Sequence, residues 1–469
     1  MQIKKAIKKG FTLVELVVVI AVIAILAATS VGVYFGMLES ANRSADQQAV
    51  VQMNKILLSE DTLGDVDNIL DVHKAFERNG LSTKSYTALA KDHTFYYDTD
   101  YNKILYVNNS GDNLVVEYPE EHENETWQDR SHEGAQWFSL NLSIKETAPT
   151  EGSTFVKTDN SLTASVNSAA EFAYVMRQAR DIKGYDKSIE ITIHGELDMM
   201  GANVTIPLVS SNFTLKGEDG AVIKNLASNS YSYTNNEGSN YGAGLIGQVE
   251  GSASGVIDVA IKDIKISNVH IDGVDYDAGG CGILIGFNNA YSVINIENVD
   301  IENCTVAGNR SVGAIVGHHY PTLGNGSGRA HTFKDISLVN ADVYTSGGRS
   351  ALAIGYINQH FEDYINNPHY INKNTNEQFK NVEEIVCYYT QLTNVTADSN
   401  SEFLPYDGKQ VVTIETIDET VKYYYDASYN SNTYIFNDAP TRNKYYFYDA
   451  DAFVSFTIKG DKSGFLPRA

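Results

Sequence analysis

The chain has 469 residues, enough for about three average domains, and an acidic balance of 35 Lys+Arg against 59 Asp+Glu. That balance argues against nucleic acid as a partner, because phosphate binding needs a basic face. Apolar residues at 43% exclude wholesale disorder, 30 Tyr and 36 Gly against 8 Pro favour strands and turns over a helical bundle, and three cysteines cannot build a disulfide framework.

The charge is unevenly distributed. Met1 to Gly10 carry Lys4, Lys5, Lys8 and Lys9 and no acid, and Phe11 to Ala28 then form an apolar run with a single charge, Glu15. As a helix this run is roughly 27 Å long, close to a bilayer core, and the lysines keep its start cytoplasmic and place the remainder of the chain outside. A secretory signal peptide and a plain membrane anchor share the basic start and the apolar core, but neither accounts for Glu15. Burying that carboxylate costs about 2.5–3.5 kcal/mol on insertion scales, and intramembrane acids usually mark function.

The stretch KKGFTLVELVVVIAVIAILAA resembles the class III signal of type IV pilins and pseudopilins. The resemblance implies that prepilin peptidase cuts after Gly10 on the cytoplasmic face and that Phe11 is then N-methylated. It also makes Glu15 the acidic assembly residue, acting with other pilin subunits through the N-terminal helix. The chemistry fits: cleavage creates a charged amine at Phe11, and Glu15, one helical turn later, can neutralise that amine or a neighbour's. Two departures from the Gram-negative pilin pattern stand out. Gly32 occupies the position where many of those pilins have proline, and there is no cysteine pair near the C-terminus.

The long helix is expected over 11–58, a transmembrane half followed by an amphipathic half with an apolar stripe of Ala41, Ala45, Ala49, Met53 and Ile56. Residues 60–146 read as a small α+β domain of pilin-like plan. In it, a helix over Asp65 to Arg78 ends at Gly80, with Val66, Ile69, Leu70 and Phe76 on one side. Strands follow at Thr94–Tyr97, Lys103–Val107, Leu114–Tyr118 and Trp137–Leu142. Asp98, Asp100 and Asn102 open like a calcium loop, but Lys103 stands where glycine is needed and Asn109 where the bidentate glutamate is needed, so a polar hairpin turn is expected. The acids Glu120, Glu121, Glu123 and Glu125 around His122 read as a solvated loop.

Residues 147–153 read as a linker, and a mainly-β domain spans 154–399. A capping box, Ser168 to Glu171, opens a helix with Phe172, Met176 and Ala179 on one face. Ile189, Ile191 and Ile193 then alternate with polar residues, and Val204–Ile206, Phe213–Leu215 and Ala221–Ile223 follow as short strands. Two phrases recur. GAGLIG, CGILIG, VGAIVG and SALAIG end at Gly247, Gly286, Gly317 and Gly355, at steps of 39, 31 and 38 residues. AIKDIKISNVHI, NIENVDIENCTV and TFKDISLVNADV begin at Ala260, Asn295 and Thr332, with QFKNVEEIVCYY from Gln378 as a fourth copy. Aligned columns stay apolar: Ile261, Ile296, Phe333, Phe379; Ile264, Val299, Ile336, Val382; Val269, Cys304, Ala341, Cys387. Such columns suit stacked coils. The pattern resembles a right-handed parallel β-helix of the pectin-lyase type, and the glycine phrases resemble the GLUG repeats of bacterial surface proteins.

The third column makes Cys304 and Cys387 buried thiols rather than a disulfide, and Cys281 has no evident partner. Pectin-lyase-type coils often cleave acidic polysaccharides, so Asp272, Asp275, Asp277, Arg310, His318, His319 and Arg329 are the candidates to weigh. The aspartates read as turn residues and one of the two histidines as an exposed loop residue, with no catalytic motif. No enzyme activity, cofactor or metal site is expected. Residues 400–469 form a Tyr-rich β region, with Tyr423–Tyr425, Tyr429, Tyr434, Tyr445, Tyr446 and Tyr448, read as a cap on the coil. The whole reads as a single-pass membrane precursor whose mature part lies outside the cytoplasm, on the cell surface or pilus. It would be a minor or tip pilin with an adhesive coil that contacts a surface or glycan. The alternatives are a pseudopilin of a type II secretion or DNA-uptake machine and a membrane-tethered polysaccharide lyase or hydrolase.

Overall fold

The structure is a computed structural model. It describes residues 36–59 and, apart from 82–85, 111–113, 133–135, 150–153, 229–241, 274–278, 321–328, 346–348, 358–370, 373–375, 380–387 and a few single positions, residues 69–405. Beyond these it describes five strands between 412 and 459. The chain separates into two compact units that part between Asn141 and Leu142.

The first unit begins with α1 (36–59), which buries Asp46, Val50, Met53 and Leu57. The spacing of four, three and four is a helical stripe, but it is rotated from the expected one: Ala41 and Ala45 are exposed, Ala49 and Ile56 are half-buried, and only Met53 belongs to both. The cause is a polar residue on the buried face. The Asp46 carboxylate accepts the backbone N–H of Leu89 at 2.9 Å and that of Ala90 at 2.9 Å. Asn54 completes the attachment: its Oδ1 accepts the Ile104 N–H at 2.6 Å and its Nδ2 donates to the Ile104 carbonyl at 3.1 Å. An Asp46→Ala protein leaves two inward-facing N–H groups without their acceptor. It should lose about 2–3 kcal/mol of stability, read as a lower urea midpoint with an unchanged slope.

Helix α2 (Ile69–Arg78) ends in a Schellman motif. Gly80, at φ +80°, donates to the Glu77 carbonyl at 2.9 Å, and Leu81 donates to that of Phe76 at 2.9 Å. Strands β1 (His93–Asp98), β2 (Lys103–Asn108) and β3 (Val115–Tyr118), helix α3 (Trp127–His132) and strand β4 (Trp137–Ser139) complete the unit. The sheet is antiparallel in the order β3-β2-β1-β4. All four expected strands are present. The Asp98–Asn102 stretch is the β1–β2 hairpin turn, in which Asp98 Oδ1 accepts the N–H groups of Asp100 and Tyr101 at 2.9 and 3.0 Å. The other oxygen of this fully buried carboxylate accepts from Trp137 Nε1 at 2.7 Å. Arg130 bridges the cluster, 2.6 Å from Asp100 and 3.5 Å from Asp98, with its guanidinium over the Tyr101 ring. Of the expected solvated loop, Glu120, Glu121 and Glu123 are exposed. His122, by contrast, stacks on Tyr101 at 3.9 Å and contacts Glu125 at 3.1 Å, so that end is packed.

The second unit starts with an extended segment, where Asn203 donates to the Leu142 carbonyl at 2.7 Å and Thr147 to that of Ala170 at 3.1 Å. A hairpin of β5 (Phe155–Lys157) and β6 (Ser161–Val166) leads into α4 (Ala169–Ala179), whose N-cap is Ser168: its Oγ accepts the Glu171 N–H, and Glu171 reaches back to the Asn167 N–H at 2.9 Å. The helix packs on β6, on β7 (Ser188–Asp198) and on β8 (Ile206–Val209). Next come β9 (Asn212–Lys224), β10 (Ala227–Ser228), β11 (Gly242–Ala243), β12 (Ile246–Val249), β13 (Ile257–Ser267), β14 (His270–Asp272), β15 (Gly280–Gly282), β16 (Ile285–Asn288) and β17 (Ser292–Gly308). After them lie β18 (Ser311–Gly313), β19 (Val316–His319), β20 (His331–Thr345), β21 (Arg349–Ser350) and β22 (Ile354–Ile357).

These strands stack in parallel as three sheets: β6-β7-β9-β13-β17-β20, β8-β12-β16-β19-β22 and β11-β15-β18-β21. The stacking of parallel strands is consistent with a β-helix. The recurrent phrases lie in register, so that Ile246, Ile285, Val316 and Ile354 are neighbours, as are Ile261, Ile296 and Phe333. The second series runs inward from Ala164 through Ile191 and Leu215, all of it buried. Phe213–Leu215 and Ala221–Ile223, expected as separate strands, are two halves of the one bulged strand β9, and only Ile206 of the Val204–Ile206 stretch lies in a strand.

The fourth copy is not the one expected. After a short antiparallel pair, β23 (Ile371–Asn372) with β24 (Glu377–Gln378), strand β25 (Thr390–Ala397) pairs with β20, setting Leu392 beside Phe333 and Val395 beside Ile336. Gln378–Val382 and Gln391–Val395 share the local pattern of an apolar residue followed two places later by Asn, and strand pairing selects the second. Val382 and Cys387 lie outside the described residues. Cys281 and Cys304 are free buried thiols, and burial pushes the Cys304 thiol up to about 12.

Two corners are marked by left-handed residues. Asp263, Asn298, Asp335 and Asn394 have φ between +52° and +56°, and Asn225, Asn268, Asn303 and Asn340 between +49° and +57°. Within these columns Asn298 donates to Asp263 and Asn394 to Asp335, both at 2.9 Å, while Asn268 donates to Asn225 at 2.6 Å and Asn340 to Asn303 at 2.8 Å. Asn and Asp tolerate this conformation best among residues with a side chain, and their amides tie one rung to the next. Further on, β26 (Glu402–Pro405) joins β20 in parallel, and the strands at Val412–Ile414, Ala452–Lys459 and Lys444–Asp449 follow in antiparallel order. Tyr423 and Tyr429 lie outside the described residues.

Candidate functional site

Gly10, Phe11 and Glu15 lie outside the described residues. Among the described residues no helix is long and apolar enough to cross a membrane. Of the long helix expected over 11–58, the structure describes α1, residues 36–59. One face is fixed by Asp46, Val50, Met53, Asn54 and Leu57, while Met37, Leu38 and Leu58 are 68%, 44% and 71% exposed, with Ala41, Ala45 and Val51 also at the surface. Arg43 ties the helix to β3 through Glu117 at 3.2 Å. Glu117 also accepts from Asn108 at 2.8 Å and meets His93 Nε2 at 3.0 Å. Burial opposes ionisation of Glu117, but these hydrogen bonds and the cations outweigh it and hold its carboxyl below the usual range.

Among the described residues, the candidate hydrolytic residues of the second unit do not converge. Asp272 is buried on β14, beside β17, whereas His318 and His319 end β19 in a different sheet. Asp275 and Asp277 lie outside the described residues. Arg329 is taken up by Asp258, at 2.5 and 3.1 Å, and Arg310 is exposed at the start of β18. The two histidines are both buried, correcting the expectation that one is an exposed loop residue. His318 stacks on Phe287 at 4.4 Å and meets Tyr356 edge-on at 4.8 Å. His319 reaches Asn288 at 3.1 Å and Thr390 Oγ1 at 3.3 Å, with His331 at 4.5 Å between ring centres. They end up inside because β19 continues to His319 before it turns: His318 stands in register with Phe287 and Tyr356, and His319 with Asn288, which in turn lies beside Val249. Among the described residues no group of three His, Cys, Asp or Glu side chains is placed to hold a metal ion.

Burial keeps His319, His331 and His73 neutral: His331 is lowered to about 3 and His319 well below its ordinary value, desolvation being the main cause, while His73 in the first unit falls to about 4. In the unfolded chain the same groups titrate near 6.5. Above pH 6.5 they are neutral in both states and add no pH dependence. As pH falls below 6.5 the unfolded state binds protons first, and stability drops until the folded values are reached, down to about pH 3 for His331. Each of these three histidines contributes a slope of roughly 1 kcal/mol per pH unit. Denaturation midpoints should therefore fall between pH 7 and pH 5.5, above the carboxylate range. A flat profile there would contradict the neutral-core assignment.

No curated protein and no solved structure matches the chain. Residues 5–31 match the prokaryotic N-terminal methylation motif. That match spans Gly10, Phe11 and Glu15, and it supports a processed subunit of the type IV pilin or pseudopilin kind, cut by prepilin peptidase and assembled with other pilins.

Proposed function

We propose that this protein is a minor or tip subunit of a type IV pilus-like filament. It is held in the membrane through residues 11–28 before assembly and carries a right-handed parallel β-helix outward for adhesion to a surface or glycan. The observation that carries this reading is the joining of a prepilin-type methylation motif at residues 5–31 to a second compact unit of more than 300 residues, from Leu142 onward. A passenger of that size crowds a tightly packed shaft, and a terminal or sparse position relieves the crowding. The pectin-lyase-type winding and the GLUG-like character of the glycine phrases belong to the same reading, supported by the parallel stacking of the repeats in register.

Two measurements test it. Mass spectrometry of the mature chain should find N-methylated Phe11 at the N-terminus; a terminus beyond Ala28 would indicate an ordinary signal peptide. Immunogold labelling should decorate filament tips or scattered points, and dense, even labelling along the shaft would rule out the tip position.

A further inference from the structure

We propose that the outer face of the coil carries a hydrolytic constellation, Ser165, His194 and Glu218, that takes O-acyl esters. It goes beyond the filament role and does not depend on it. The three residues lie on three neighbouring parallel strands, β6, β7 and β9, with His194 and Glu218 opposite one another in register. Ala164, Val166 and Ile193, which alternate with Ser165 and His194, are buried, so the polar residues face out. Ser165 Oγ is 2.9 Å from His194 Nε2, and His194 Nδ1 is 4.0 Å from Glu218 Oε2. One ring nitrogen therefore meets a hydroxyl and the other faces a carboxylate, the order of nucleophile, base and orienting acid. The second distance is long for a hydrogen bond, but contacts of this kind commonly tighten only when substrate is bound.

The local chain explains the arrangement. Strands β7 and β9 lose register just after His194: Gly195 stands at φ +66°, and β9 inserts extra residues before Val222, with Gly220 at φ +73°. A bulge of this kind re-aims the side chains beside it. The side chains of His194 and Glu218 are 27% and 52% exposed, open to a ligand laid across the sheet. Lys216 pairs with Glu190 at 3.1 Å and lies 3.8 Å from Glu218, so the carboxylate has a cation at its side. A flat, open face suits a small acyl group carried on an extended polymer, such as an acetyl ester of a polysaccharide.

The step balances with water as co-reactant. Ser165 Oγ bonds to the ester carbonyl carbon while His194 Nε2 takes the hydroxyl proton. The bond from that carbon to the alcohol oxygen breaks, and the alcohol leaves with the proton from His194. Water then attacks the acyl-serine and passes a proton to His194, which returns it to Ser165 as the carboxylic acid departs. Glu218 is a positioning residue that holds the imidazole and stabilises its cation.

The full-length chain in detergent, given a fluorophosphonate probe, should be modified at Ser165, and it should hydrolyse p-nitrophenyl acetate. Ser165→Ala and His194→Gln should each lower that hydrolysis by about 100-fold or more. Glu218→Gln should lower it by about 10-fold and displace the pH profile, with Glu218→Asp recovering most of the rate. Ser165 left unlabelled in the folded wild-type chain, or a Ser165→Ala chain that hydrolyses at the wild-type rate, overturns the proposal. The labelling result needs no variant, so a variant that fails to fold cannot shield it.

Discussion

A Gly286→Val chain should fail to form the coil, with loss of the cooperative unfolding transition of the second unit and of its protection from proteolysis. The reason lies in how the glycine phrases close. A Cβ at Gly286 would sit 2.6 Å from the Ala243 carbonyl oxygen and 2.7 Å from the Gly242 carbonyl carbon, both backbone atoms of the preceding rung. Gly317 is set the same way, with the Cys281 carbonyl oxygen at 2.5 Å, and Gly355 meets the Gly317 oxygen at 2.6 Å. Each phrase-ending glycine of the later rungs thus lets two thin sheets touch backbone to backbone. Side-chain ends can swing away from an added carbon, but stacked backbones cannot move without breaking the ladders on either side. Overpacking in an ordinary core costs about 1–3 kcal/mol; here the cost should exceed that, since no rotamer relieves it. Gly36 is the control, because a Cβ there meets nothing within 4 Å and Gly36→Ala should be neutral or slightly stabilising. Limited proteolysis of the two proteins side by side distinguishes them.

Replacing Gly10 by valine should leave the chain as an uncut precursor that starts at Met1 and keeps Lys4, Lys5, Lys8 and Lys9. An intact-mass measurement reads this directly, and a normally trimmed product would remove Gly10 from the cleavage site. Glu15→Val should behave differently, being trimmed but missing from filaments. In the filament reading proposed above, removal of the leader would leave Phe11 with a charged amine, and Glu15 is the only acid between Phe11 and Ala28 in the sequence to neutralise it. Stripping one partner from a buried ion pair costs about 3–5 kcal/mol, which corresponds to a loss of incorporation of more than about 100-fold. Quantifying the subunit in sheared filaments against the membrane pool measures the ratio, and an unchanged ratio would rule out the pairing.

The parallel stacking of the strands was legible because a repeat makes its own comparison. Isoleucines of one copy answer those of the next at matched positions, and the structure stacks Ile261 on Ile296 and Ile246 on Ile285. The left-handed corners were also there to be read: Asp or Asn stands fourth and ninth in each of the three well-formed copies, a polar column that a search for apolar columns passes over. The same blindness moved the helix stripe, since Asp46 is buried for its acceptor oxygens and not for its oiliness. The choice between Gln378 and Gln391 for the last copy could not be made locally, because both satisfy the strand pattern and only pairing along β20 separates them. One of His318 and His319 read as an exposed loop residue because the pair directly follows an apolar strand pattern, whereas β19 runs on through both. The Ser165, His194 and Glu218 grouping had no linear signature at all, its members being 29 and 24 residues apart and joined only by sheet register and a bulge.

The order of the rungs along the chain has a mechanical consequence. Each rung is sewn to its neighbour by a full ladder, twelve residue pairs between β17 and β20, and to more distant rungs hardly at all. A pull applied where the chain enters the coil near Leu142 therefore cannot load every ladder at once; it peels the outermost rung while the rest stay closed. One rung, from the start of β13 to the start of β17, holds 35 residues and would pay out roughly 120 Å of extended chain. If the far end holds a surface, as proposed above, that contact would yield in discrete lengths under tension before it let go, and the second unit would act as an extensible tether.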